Sequence, residues 1–177
     1  KDHIESFCGV CMSDIRLRVD SLSGQPDSPF ILSGSVWRLA DPADVARLLL
    51  PKIETEVIKK WRALVFDVLF APDPRRGLGL AQSVVAEIRG IRPGCSDKLR
   101  KYVAEGLTLT AATSERLEPH VRGIVKQLLE ISFADQTGDA LMSLASALPL
   151  LAEAAPSEFL TAVSEDLDKE TPVIQLL

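Results

Sequence analysis

The chain has 177 residues, 46% of them hydrophobic and 25% charged, which is enough apolar content to fill a sizeable core. Its 20 Lys and Arg are outnumbered by 25 Asp and Glu, giving a net charge of -5 and a pI near 5.1; that is the wrong sign for a domain that coats a phosphate backbone, so no nucleic-acid partner is expected. Three cysteines, an odd number without a signal-peptide pattern, point to a reducing, cytoplasmic compartment rather than a disulfide framework. The most apolar stretch, Leu141 to Ala155, is broken by Pro149 and Glu153 and falls short of the ~20 apolar residues a spanning helix needs, so no membrane contact is expected either.

From the amino terminus, Ile4, Cys8, Cys11, Ile15, Val19 and Leu22 recur at steps of three and four, while Asp14, Arg16 and Arg18 mostly fall off that stripe. The spacing predicts an amino-terminal helix over residues 1–22. Within it, FCGVC has the spacing of a thioredoxin corner. That chemistry needs its first cysteine at a helix N-terminus just after a strand, and no β-run precedes it here, so Cys8 and Cys11 read as small core residues. Gly9 sits poorly in such a helix, costing about 1 kcal/mol relative to alanine. The string SGQPDSPF then ends the helix, and residues 23–40 read as a linker; ILSGSVWRL within it, although capable of a short extended piece, is assigned to loop.

Residues 41–177 read as one helical-repeat-like domain. Asp41 before Pro42 is a helix start, a side-chain cap followed by a residue that needs no donor, and predicts a helix from Pro42 to Leu50. After Pro51, Val57, Trp61, Leu64, Val65 and Val68 form a dry stripe opposite Glu56, Lys59, Lys60 and Arg62, with Trp61 expected in the core. Further helices are expected over Leu80 to Arg89, over Asp97 to Thr110 with Ser96 as cap, and over Glu115 to Ile131 with Leu117, Val121, Ile124, Val125 and Leu128 on one face. Gly138 to Leu151 repeats the pattern through Leu141, Leu144 and Leu148, and Pro156 opens a last helix with Phe159, Leu160, Val163 and Leu167 inward. The expected fold class is all-α: stacked antiparallel helix pairs, α-solenoid-like or an irregular helical bundle, with no sheet of more than two strands.

Candidate chemistry is sparse. Zinc could draw on Cys8, Cys11, Cys95 and either His3 or His120, but only one closely spaced pair exists, and it lies in a predicted helix. RRGLGLAQS has glycines and two arginines before a helix, as a phosphate cradle would, yet Gln82 stands where GxGxxG needs its last glycine. Asp166, Asp168 and Glu170 alternate like calcium ligands without the turning glycine, and read as a wet helix end. No GxSxG elbow accompanies the two histidines, so no nucleophilic triad is expected, and His120 beside Pro119 reads as a helix-start residue. Lys98, Arg100 and Lys101, and likewise Arg122 and Lys126, read as solvated helical faces. No cofactor, metal or catalytic residue is therefore expected.

SVWRLADPADVARLLLP, WRALVFDVLFAPDP, SDKLRKYVAEGLTLTA and LPLLAEAAPSEFLTAVSEDL follow one another in an order that resembles the helical region after the NTPase core of large bacterial STAND-type proteins, notably those of antiviral defence. The resemblance spans about Ser35 to Leu177. It implies a piece of a larger protein, in keeping with a chain that begins at Lys1 and ends on VIQLL, whose helical repeats sense a foreign protein or restrain assembly. The functional expectation is a non-catalytic helical protein-interaction and regulatory module whose partners are a protein, such as a phage protein, and the remainder of its own larger chain. The contact surface expected is the DPRRGLG turn, through Arg75, Arg76 and Leu78, since arginines are favoured at interface hot spots. The alternative is a thiol-redox or zinc-binding helical domain using Cys8 and Cys11.

Overall fold

A computed structural model describes residues 2–34, 36–71, 82, 85–86, 88–90 and 93–176. Nine α-helices and one two-stranded antiparallel sheet are formed among them. In chain order these are α1 (Asp2–Cys8), α2 (Met12–Ser23), β1 (Phe30–Ser33), β2 (Val36–Leu39), α3 (Pro42–Leu49), a 3-10 turn (Leu50–Lys52), α4 (Thr55–Leu69), α5 (Asp97–Thr113), α6 (Glu118–Ala134), α7 (Asp139–Leu144), α8 (Leu148–Ala154), α9 (Pro156–Leu167) and a closing 3-10 turn (Val173–Leu176). The protein is mostly α. Of the helix expected over Leu80 to Arg89, Gln82, Val85, Ala86 and Ile88 are helical, while Leu80, Ala81, Ser83, Val84 and Glu87 lie outside the described residues.

The single amino-terminal helix expected over residues 1–22 is two helices. Gly9 takes φ +67°, a left-handed conformation that only glycine adopts at no steric cost, and its N–H closes α1 on the Glu5 carbonyl at 2.8 Å. The Glu5 carboxylate then reaches the start of α2 and accepts the Met12 N–H at 2.7 Å, satisfying a donor that has no partner inside the helix. The stretch assigned to loop is a hairpin. Ser33 pairs with Val36 and Phe30 with Leu39, so only two residues separate the strands, and Gly34 at φ +64° supplies the backbone such tight links demand.

The caps read from sequence are present. Asp41 accepts from the N–H groups of Ala43 and Asp44 at 2.9 and 3.0 Å, and Ser96 accepts from Leu99 at 3.2 Å. Two dry faces are rotated from expectation. On α4 the buried residues are Ile58, Val65, Val68 and Leu69, while Trp61 is half-buried against the core and Val57 is exposed. On α9, Leu160 and Leu167 face solvent and the buried side chain is Asp166. The long helix expected over Gly138 to Leu151 is divided at Ala145 to Ala147. A continuous helix would place Pro149 where it can neither donate nor avoid the preceding turn, whereas starting α8 at Leu148 puts it in the first turn, where no donor is needed.

The core is centred on α5 and α6. Leu107 of α5 and Val121, Val125, Leu128 and Leu129 of α6 are fully enclosed, packed with Val65 and Leu69 of α4, Leu141 and Leu144 of α7 and Leu151 of α8. Helix α5 packs against α3 and α4, and against α8; α6 packs against α7, α8 and α9; and α8 packs against α9. Helix α1 lies on α4, and α2 on β1.

Candidate functional site

The amino-terminal part of the chain differs in kind from the rest. Between Met12 and Ala40 no described residue is buried, although the segment forms a helix and a hairpin rich in large apolar side chains. Leu17 is 67% exposed, Val36 54%, and Ile31 and Leu32 52% each; Leu22 and Leu39 are exposed as well. Strand geometry explains why covering one face of the hairpin does not hide them. Successive side chains alternate, so Phe30, Leu32, Trp37 and Leu39 share one face, and Ile31, Ser33, Val36 and Arg38 share the other. Both faces carry bare aliphatics, and only Phe30 and Trp37 are half-buried. Each strand pairs only with the other, leaving an outer edge on both sides among the described residues. Scattered exposed leucines are ordinary on a protein surface, but here six exposed aliphatics, on α2 and on both faces of the hairpin, fall within one segment that buries nothing.

Sequence reasoning overlooked this surface. A signal for it was present: apolar runs on either side of Gly34-Ser35, a glycine-first two-residue link of the kind that joins hairpin strands. The contact residues expected from sequence, Arg75, Arg76 and Leu78, lie outside the described residues. So does the RRGLGLA stretch that resembled a phosphate cradle.

Cys8 and Cys11 are exposed, not core residues, and they lie on separate helices, since α1 ends at Cys8 and the left-handed Gly9 intervenes before α2. Cys11 is the residue before the first turn of α2, with its Sγ 2.8 Å from the Ser13 hydroxyl, on a shallow depression shared with Glu5, Arg16 and Asp20. Cys95 is buried, and that burial pushes its thiol upward, an effect larger than the downward pull of the Arg100 guanidinium. Among the described residues no three His, Cys, Asp or Glu side chains converge as a metal site would require. His120 is exposed in the first turn of α6. His3 shares a depression with Ser6, Lys60 and Asp67, but no hydrogen bond joins these residues, so the relay of a nucleophilic triad is not assembled.

Two charged residues read as solvated are structural. Arg100 is buried and donates to backbone carbonyls of α4, of Ala71 beyond it and of α7. Asp166 is fully buried at the end of α9 and accepts from the Ile174 N–H and from Lys169, each at 2.8 Å. Arg122 and Lys126 remain on the surface as expected, pairing with Glu158 at 2.6 Å and Glu130 at 3.8 Å. No helix among the described residues is long and apolar enough to cross a membrane.

Fold and surface together define a mostly helical protein with an uncovered apolar helix-hairpin segment. No family model matches the chain, and no curated protein and no solved structure is significantly similar to it.

Proposed function

We propose that this chain is a non-catalytic helical interaction and regulatory module of a larger protein, and that it contacts its partner through α2 and the hairpin. The observation that carries the reading is the segment 12–40, which orders a helix and two strands while none of its described side chains is buried. Ordering a chain costs about 1–2 kcal/mol per residue in backbone entropy, which burial normally offsets, and a partner covering Ile31 and Val36, which share one face of the hairpin, would supply such burial. The open strand edges add a second means of recognition, since an extended partner segment can hydrogen-bond to an unpaired strand. We further propose that the pairing of α5 with α8 and of α6 with α9 is the stacking of two successive helix hairpins, as in a solenoid. That scaffold suits the sensing role implied by the resemblance to STAND-type proteins, with a foreign protein as partner and the larger chain as the element restrained.

The test is the double substitution Leu17→Asp with Ile31→Asp in the full-length parent protein. The bundle should keep its far-ultraviolet spectrum and unfolding midpoint, and the response to a triggering protein should be lost. An unchanged response would remove this surface from the interface.

A second reading has one observation in its favour: Cys8 and Cys11 stand exposed on either side of a glycine turn, where an oxidant or metal can reach them. It makes its own prediction. With a thiol reagent at pH 8, Cys8 and Cys11 should label rapidly and Cys95 at least tenfold more slowly, because a buried thiol with a raised pKa is both inaccessible and protonated. Labelling followed by mass analysis separates the three. Replacing Cys8 and Cys11 with serine should leave partner binding intact under the interaction reading, and should abolish function under the thiol reading.

A further inference from the structure

We propose that the cavity between α1, α3, α4 and α5 binds one small, neutral, apolar molecule, about the size of a single substituted aromatic ring. The proposal is independent of the partner-binding surface. The cavity has a volume of about 200 Å³ and opens on one side to solvent, with walls that include Phe7 of α1, Leu50 of the first 3-10 turn, the exposed Val57 and half-buried Trp61 of α4, and Gly106 and Leu109 of α5. A dry apolar cavity of about 150 Å³ is large enough to hold benzene, so the volume suits a ring carrying a short substituent.

The chemistry of the wall selects against water and against charge. A trapped water needs two to four polar partners. The polar groups at this wall are already engaged: the Thr110 hydroxyl donates to the Gly106 carbonyl at 2.7 Å, and the Leu50 and Ile53 carbonyls each accept from Arg116 at 2.8 Å. What remains is aliphatic and aromatic carbon. A carboxylate or ammonium entering the cavity would give up part of its hydration and find no partner on these walls, whereas a neutral ring gives up nothing it cannot replace.

Gly106 is a second and separate observation. It lies in the middle of a 17-residue helix, where glycine is less favourable than alanine. The usual reasons for such a glycine are absent. Its φ is not positive, and a Cβ built on it would meet nothing within 4 Å. Neither backbone conformation nor a crowded neighbour requires glycine here; what its missing side chain provides is open space on the cavity floor. Because Phe7 forms part of the wall and α1 lies on α4, an occupant would also tie the amino-terminal helix to the bundle.

Toluene is the probe. In the Trp37→Phe variant, which leaves Trp61 as the sole tryptophan, toluene at tenfold its dissociation constant should raise Tm by about 3 °C and change the Trp61 emission. Benzoate, the same ring with a charge, should do neither. Gly106→Leu should fill the cavity and weaken toluene binding at least tenfold; Gly106→Ala, which the helix accepts more readily than glycine, should weaken it several-fold and serves if the leucine variant does not fold. No Tm or emission response to toluene up to its solubility limit overturns the proposal. So does an equal response in the Gly106 variants, and a benzoate response matching that of toluene overturns the neutral-ligand assignment.

Discussion

Replacing Arg100 with leucine is expected to lower the unfolding free energy by about 3–5 kcal/mol, because several buried carbonyls lose a charged donor at once. The side chain is only 3% exposed, and its guanidinium donates to the carbonyls of Leu69 at 2.6 Å, Ser143 at 3.1 Å and Ala71. Leu69 is the last residue of α4, where carbonyls lack intrahelical donors and where a cation is favoured by the helix dipole. One planar group therefore satisfies the end of α4 and joins it to α7 from a position in the first turn of α5. Leucine keeps much of the volume but leaves buried acceptors without their donor, each costing about 1–3 kcal/mol. Arg100→Lys should fall between the two, because a single ammonium cannot reproduce a fork with separated donors. Denaturant titration reads the effect as a lower midpoint at constant m-value; an unchanged midpoint for the leucine variant would mean that these carbonyls find water instead.

Sequence alone revealed those features whose cause is local. The Asp41 and Ser96 caps, the first-turn prolines at positions 42 and 156, and the dry face of α6 all follow from interactions within one turn or one helical period and are found where the sequence places them, whereas α6 begins at Glu118 rather than Glu115, which puts Pro119 in its first turn. What escaped depends on partners distant in the chain. Arg100 is indistinguishable from Lys98 and Lys101 until α4 and α7 are brought beside it, and Asp166 resembles a wet terminus until the chain turns back at residue 173. The stripe through Ile4 and Leu22 was real in spacing, but a single left-handed glycine interrupted it, and with it went the burial assigned to Cys8 and Cys11. The hairpin was hidden for a related reason: its edges and faces lack the cover that usually makes alternation visible, so ILSGSVWRL carries turn chemistry without a clean polar side. The apolar cavity belongs to several elements at once, so no single stretch of the sequence announces it.

Asp166→Ala should cost about 3 kcal/mol, and the loss should concentrate at the carboxyl end of the chain. One carboxylate oxygen accepts the Ile174 N–H and the other accepts Lys169, whose ammonium also donates to the Phe133 carbonyl at 2.9 Å and lies 5.9 Å from the centre of the Phe133 ring. A fully buried acid thus holds the closing 3-10 turn onto α9, and through Lys169 onto the end of α6. Lys169 is 40% exposed on its side chain and can regain water when its partner is removed, so the cost stays at the lower end of the range for broken buried pairs. The Ile174 N–H has no such recourse unless the turn lifts away. Lifting it also withdraws Leu176, which lies so close over Gly138 that a Cβ there would stand 2.7 Å from its Cδ1. Hydrogen exchange should therefore report the change locally: the Ile174 amide should lose its protection in Asp166→Ala, followed by amides at the start of α7, while those of Val125 and Leu128 follow only the global stability. Asp166→Asn, which keeps an acceptor for Ile174 but loses the charge facing Lys169, should retain part of that protection. If Ile174 exchanges no faster in the alanine variant than in the native protein, the closing turn is held by the burial of Val173 alone.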